Sequence, residues 1–187
     1  MTREAFIEVL NEEGYSYEIE GNKIVVTGRG GVYFMSLTSL PPDVEFRNRG
    51  SVYLHYLTSL PPGTVFKNEI SVYLSALTSL PPDTEFENGG SISLESLTSL
   101  PPDAEFRNGA GVNLSALTSL PPGVEFRNGR DINLGSLSSI PPGVEFKNGS
   151  NVFLKQIGYF YDWKGNIKGV DPKRLLNMMI KQGVFER

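Results

Sequence analysis

The sequence predicts a mainly β fold, a parallel β-solenoid of about seven twenty-residue coils with helical caps at both ends. Three observations predict it. The hexapeptide Leu57-Thr58-Ser59-Leu60-Pro61-Pro62 returns, with small changes, from Leu37, Leu77, Leu97, Leu117 and Leu137, always on the same twenty-residue period. Between copies two alternating patterns recur, Val44-x-Phe46-x-Asn48 and Val52-x-Leu54. Alternation of this kind puts one side of a short strand inward, and a fixed period stacks the strands into parallel ladders.

Composition narrows the class. The chain has 187 residues, 39% hydrophobic and a formal net charge of −4, which suits one soluble folded unit. There is no cysteine, so disulfide and thiolate chemistry are excluded. An acidic pI near 5.1 argues against a general nucleic-acid binder, which needs a basic face to displace counterions. No apolar run approaches the roughly 20 residues that span a bilayer. The N-terminus lacks a basic stretch followed by an apolar core, so the expectation is no signal peptide, no membrane and a cytoplasmic location.

Residues 1–21 read as an α/β cap. Thr2 is placed to cap a short helix with Glu4 in its first turn, and Phe6, Val9 and Leu10 fall at helical spacing. Gly14 is the expected stop. Tyr15, Tyr17 and Ile19 then alternate with polar residues as a strand would, ahead of a Gly21-Asn22 turn. The first coil of an array leaves a bare apolar face and unpaired strand groups, which such a segment can cover. The alternative is that the helix is itself a partner-binding element.

The array occupies residues 22–160. Ile24 and Val26 stand twenty residues before Val44 and Phe46, and Val32 and Phe34 twenty before Val52 and Leu54. Ile157 and Phe160 fall at the two Leu positions of a last, degenerate hexapeptide. The Pro-Pro pairs contain all prolines but one, and proline cannot donate to a ladder, so they are expected at a corner. Asp43, Gly63, Asp83, Asp103, Gly123 and Gly143 follow them and tolerate turn geometry. Asn48 and its copies at 68, 88, 108, 128 and 148 are expected to stack, each bonding its equivalent on the next coil and local backbone.

Leu-Thr-Ser-Leu-Pro-Pro on this period resembles the short bacterial type of leucine-rich repeat. Residues 22–156 resemble more closely the leucine-rich-repeat-like proteins of bacteriophages and prophages with runs of LTSLPxGVxFxNGGxVxL. That resemblance carries no catalytic residue. It implies a small intracellular protein that engages a host macromolecule, such as a defence component, and inhibits it. In ordinary leucine-rich repeats the Asn follows the second strand Leu by three residues. Here Asn48 follows Phe46 by two, and a second strand, Val52 to Leu54, precedes the next hexapeptide. The β-solenoid is therefore favoured, with the leucine-rich-repeat horseshoe as the alternative.

Function must lie in positions the core does not dictate. Glu45, Glu85, Glu105, Glu125 and Glu145 form one outward row, beside Arg47, Lys67, Arg107, Arg127 and Lys147. Opposite rows this close read as a charge-balanced solvated face. The irregular row is more informative: Tyr33, Tyr53, Tyr73, Ser93, Asn113, Asn133, Phe153. With Met35, His55 and Tyr56 nearby, Tyr33, Tyr53 and Tyr73 make the candidate partner-binding face, since aromatic clusters with hydroxyls supply binding hot spots. The competing reading is an aromatic ladder that only stabilises exposed strands. A lone histidine without cysteine makes a metal site unexpected, and no cofactor is implied.

Residues 161–187 read as a C-terminal cap, with Asp171-Pro172 starting a helix over about 172–182. The sequence thus predicts a non-catalytic protein-binding repeat protein. Two alternatives stand beside it: a carbohydrate-binding or carbohydrate-processing solenoid, and a rod that self-associates through its caps.

Overall fold

The computed structural model describes residues 1–141 and 144–154, together with the backbone of strands Tyr159–Tyr161 and Ile167–Lys168. The chain winds as a parallel β-solenoid of about six turns. Each coil gives one short strand to each of two sheets and closes through the Leu-x-x-Leu-Pro-Pro segment. The eight-stranded Phe sheet contains Lys23–Val26, Val44–Phe46, Val65–Phe66 and their successors to Glu145–Phe146. The nine-stranded Tyr sheet contains Val32–Tyr33, Val52–Tyr53, Val72–Tyr73 and their successors to Val152–Leu154, then the two last strands.

Register follows the period. Val52 pairs with Val72 and Tyr53 with Tyr73; on the other sheet Phe46 pairs with Phe66. A one-residue slip would turn every buried side chain outward, so burial holds the register. The core is a set of columns. Val32, Val52, Val72, Ile92, Val112, Ile132 and Val152 are all buried, as are Leu54, Leu57 and their copies. Phe46, Phe66, Phe86, Phe106, Phe126 and Phe146 stack face to face, with centroids 5.2–5.6 Å apart and planes within 11°. The column excludes water only because each ring has neighbours above and below, which no single coil supplies.

The corners behave as their composition requires. After Pro-Pro, Asp43, Asp83 and Asp103 take φ of 59°, 62° and 56°, and Gly63 and Gly123 take 72° and 78°. Only residues that tolerate the left-handed region can occupy that step. The asparagine row corrects the sequence expectation in one respect. Each side-chain amide donates to backbone carbonyls, not to the next asparagine. Asn88 Nδ2 reaches Ile70 O at 3.0 Å on the preceding coil and Gly90 O at 3.0 Å on its own. Asn68 and Asn108 repeat the arrangement. The row therefore sews each coil to the one before it through main chain. Parallel strands leave carbonyls at the turn that a buried amide can satisfy, and they outcompete a neighbouring amide.

Ahead of the first coil the chain forms one helix and one strand. Helix α1 spans Arg3–Glu12; Thr2 caps it, accepting from Ala5 N at 3.2 Å, and Gly14 follows at φ 70°. Phe6 and Leu10 are fully buried, and Phe6 packs on Phe34 at 5.7 Å between ring centroids. Strand Tyr17–Glu20 turns back through Gly21-Asn22 and pairs antiparallel with Lys23–Val26, covering the first edge of the Phe sheet. The Tyr sheet is protected differently. The Tyr15 hydroxyl accepts from Tyr33 N at 2.8 Å and lies 3.3 Å from Tyr33 O, satisfying edge groups that would otherwise template another strand.

At the other end the pairing direction reverses. Tyr159–Tyr161 runs antiparallel to Val152–Leu154, with Phe160 opposite Phe153, and Ile167–Lys168 pairs antiparallel with it. Phe160, which the repeat count puts at a Leu position, is instead part of this antiparallel closure. No Pro-Pro follows it to turn the chain into another coil. The helix expected over about 172–182 lies outside the described residues. No helix among the described residues is long and apolar enough to cross a membrane.

Candidate functional site

The Tyr sheet brings three of the expected aromatic residues together. Tyr33, Tyr53 and Tyr73 occupy the same register position on three successive strands, because their neighbours Val32, Val52 and Val72 point into the core. Their rings stack with centroids 4.5 and 4.7 Å apart and planes within 10° and 7°. This is the strand repeat itself, so the backbone sets the stacking distance. His55, two residues past Tyr53 in the turn that follows the strand, leans against both Tyr53 and Tyr73 at 5.8 Å. Its Nδ1 lies 3.2 Å from Ser75 Oγ, which fixes the ring on the next coil.

Helix α1 closes the core without covering this face. Tyr33, Met35 and Tyr56 remain 51%, 66% and 56% exposed, half of the exposed large apolar residues among the described ones. Tyr53, His55 and Tyr73 are half-buried by each other. The proximity of Tyr53 pushes the Tyr33 phenol above its usual pKa, since a second phenolate so near disfavours the first. Tyr33 therefore stays protonated, offering a hydroxyl donor and acceptor at the exposed end of an apolar strip.

Stacking also limits what the row can bind. The one inner ring, Tyr53, has a neighbour on both faces and shows solvent only its edge and hydroxyl. A sugar packs against a free ring face, and the interior of the ladder offers none. The ladder ends abruptly at Tyr73, whose register partner on the next strand is Ser93, followed by Asn113. Residue Glu95, which the row pattern did not single out, stands beside this step. Asn113 Nδ2 approaches Glu95 Oε1 at 3.4 Å. The signal was present in the sequence: Met35, His55, Ser75, Glu95, Ser115 and Gly135 contain one acid among otherwise uncharged residues.

The charged rows lie on the other sheet and are largely self-satisfied. Lys67 pairs with Glu85 at 3.7 Å and Glu87 at 3.2 Å, and Glu105 pairs with Arg107 at 2.7 Å and Arg127 at 3.1 Å. Glu45 is the exception, because the N-terminal strands bury it to 2% exposure between Lys23 and Arg47. Burial alone would raise its pKa, but the hydrogen bonds from Arg47 and Lys23 outweigh it and hold the carboxyl below its usual range. A cleft of about 480 Å³ opens at the corner between Pro81-Pro82 and Pro101-Pro102. There strands Glu85–Phe86 and Glu105–Phe106 are in register at the single pair Phe86–Phe106. Its glutamates are those already bound to Lys67, Arg107 and Arg127. Among the described residues no group of three or more His, Cys, Asp or Glu could hold a metal ion.

Among the described residues, fold and surface define a parallel β-solenoid with a partly exposed aromatic ladder at its N-terminal end. No family model, no curated protein and no solved structure matches the chain.

Proposed function

We propose that this is a non-catalytic protein-binding repeat protein whose contact face centres on Tyr33, Met35, Tyr53, His55, Tyr56 and Tyr73. The observation that carries the reading is the exposure of Tyr33, Met35 and Tyr56 beside a cap that buries other aromatics. Phe6, Phe34 and Phe46 are covered, while Tyr33 and Met35, on the same coil as Phe34, are left in solvent. A strip of stacked, pre-ordered rings gives up little side-chain entropy on binding, which favours its use as an anchor. Resemblance to the phage and prophage repeat proteins directs the reading toward a macromolecule of a bacterial host, such as a defence component that binding would inhibit, met in the cytoplasm. The carbohydrate alternative is weaker because stacking leaves ring faces free only at the two ends of the ladder.

The test is capture from bacterial lysate by the wild-type chain and by a Tyr33→Ser, Tyr53→Ser, Tyr73→Ser variant of verified fold. The expected result is one protein retained by the first and lost by the second. Equal capture would move the contact to the caps or the charged rows. A glycan-array signal without protein capture would favour the carbohydrate reading.

A further inference from the structure

We infer that the step at Ser93 is a receptor for an arginine side chain of the protein partner, whose guanidinium continues the tyrosine ladder. The inference rests on the protein-binding reading and gives it a specific chemistry.

Three features converge there. Tyr53 covers one face of the Tyr73 ring at 4.7 Å, and the residue paired beyond the other face is Ser93, too small to cover it. Tyr73 and Asn113 are two strand steps apart, roughly 9.6 Å. A planar group above Ser93 would therefore sit at the repeat the ladder already uses. The side is open as well. His55 flanks the step between Tyr53 and Tyr73, but the next member of its row is Ser75. The edge is acidic: Glu95 is exposed, has no ion-pair partner among the described residues, and meets only the Asn113 amide at 3.4 Å.

These features select among flat groups. A neutral ring would stack on Tyr73 but would crowd a carboxylate and return nothing for its lost hydration. An ammonium would meet Glu95 but has no plane to lay on the ring. A guanidinium does both: it stacks on an aromatic face and presents a fork of N–H donors to a carboxylate. The acidic net charge of the chain further favours a basic partner.

The experiment is a titration of the full chain with N-acetyl-arginine amide, followed by amide NMR shifts, with N-acetyl-lysine amide in parallel. Saturable shifts are expected at Tyr73, Ser93, Glu95 and Asn113, with arginine binding about five-fold tighter than lysine. Glu95→Gln should weaken the arginine response by a similar factor. Ser93→Tyr should abolish it, because the new ring extends the ladder into the receptor while leaving the fold intact. Equal responses to lysine, shifts spread over Glu85, Glu87 and Glu125, or no shift would overturn the inference. So would full arginine binding by Ser93→Tyr. Partner capture separates the two levels. A partner lost with the Tyr33 and Tyr53 substitutions but kept by Ser93→Tyr and Glu95→Gln would leave the protein-binding reading standing and remove the arginine contact.

Discussion

The first coils and the later ones share a backbone and differ on one face. From Val52–Tyr53 to Ile132–Asn133 the inward residues are the same kind and equally buried. Outward, Tyr33, Tyr53 and Tyr73 give way to Ser93, Asn113 and Asn133. The turns differ too. Arg49 and Glu69 pair across coils at 3.5 Å, whereas Gly109 and Gly129 hold the later positions, where an added Cβ would lie about 2 Å from the carbonyl of the preceding coil. The core therefore tolerates either surface, and the aromatic ladder is not a requirement of the coil. A feature the fold can do without on half its length is what the proposed contact face would require.

That comparison can be broken most forcefully in the core. Phe66→Ala and Phe106→Ala, one in each half, should each cost about 3–5 kcal/mol in urea unfolding. The two should agree within about 1 kcal/mol, and a large disagreement would mean the halves differ inside as well as outside. Asn88→Ala comes next. It removes the bonds to Ile70 O and Gly90 O, carbonyls that keep Gly90 N and Ala110 N as donors, so a loss of about 1–2 kcal/mol is expected in the same measurement. Tyr53→Ser removes two stacked partners and should cost about 1 kcal/mol. Asn113→Ser, at the equivalent position, should stay within about 0.5 kcal/mol. A Tyr53→Ser loss several times larger would make the ladder a structural necessity and weaken its reading as a contact face.

The smallest expected effect concerns acid. The folded pKa of Glu45 lies below its ordinary value of 4.5, so its contribution is fully present above that value and is lost as pH falls through the depressed one. Glu45→Gln should flatten the stability-against-pH curve below pH 4.5, where wild type declines. Glu105 and Glu145 are also depressed, each chiefly by the hydrogen bond from its own-coil cation, Arg107 or Lys147, so a decline remains. Hydrogen exchange should place the Glu45 part of it at the N-terminal strands.

Much of this was legible because a period constrains every coil at once. Val32, Phe46, Leu54 and Leu57 were readable as core from their spacing alone, and Thr2 and Gly14 as helix limits from their type. Partners set by the third dimension were not. Nothing local says that the Tyr15 hydroxyl seals the edge at Tyr33, or that Asn88 reaches a carbonyl eighteen residues back. Strand propensity carries no direction, so the antiparallel turn of Tyr159–Tyr161 was invisible. Glu45 looked like every other member of its row, and only the N-terminal hairpin makes it a buried acid. At the site, the three tyrosines were readable as a row; the open face at Ser93 and its neighbour Glu95 required the register.

Because every coil mates with the next through the same columns, the molecule is also a graduated scale. Excising one twenty-residue unit from the Gly109–Gly129 region would join like surfaces and leave both caps untouched. It would shorten the distance from the tyrosine cluster to the C-terminal closure by one strand step, roughly 4.8 Å. The reach between two contacts on such a rod can thus be set in whole notches, by genetic slippage, without redesigning either contact.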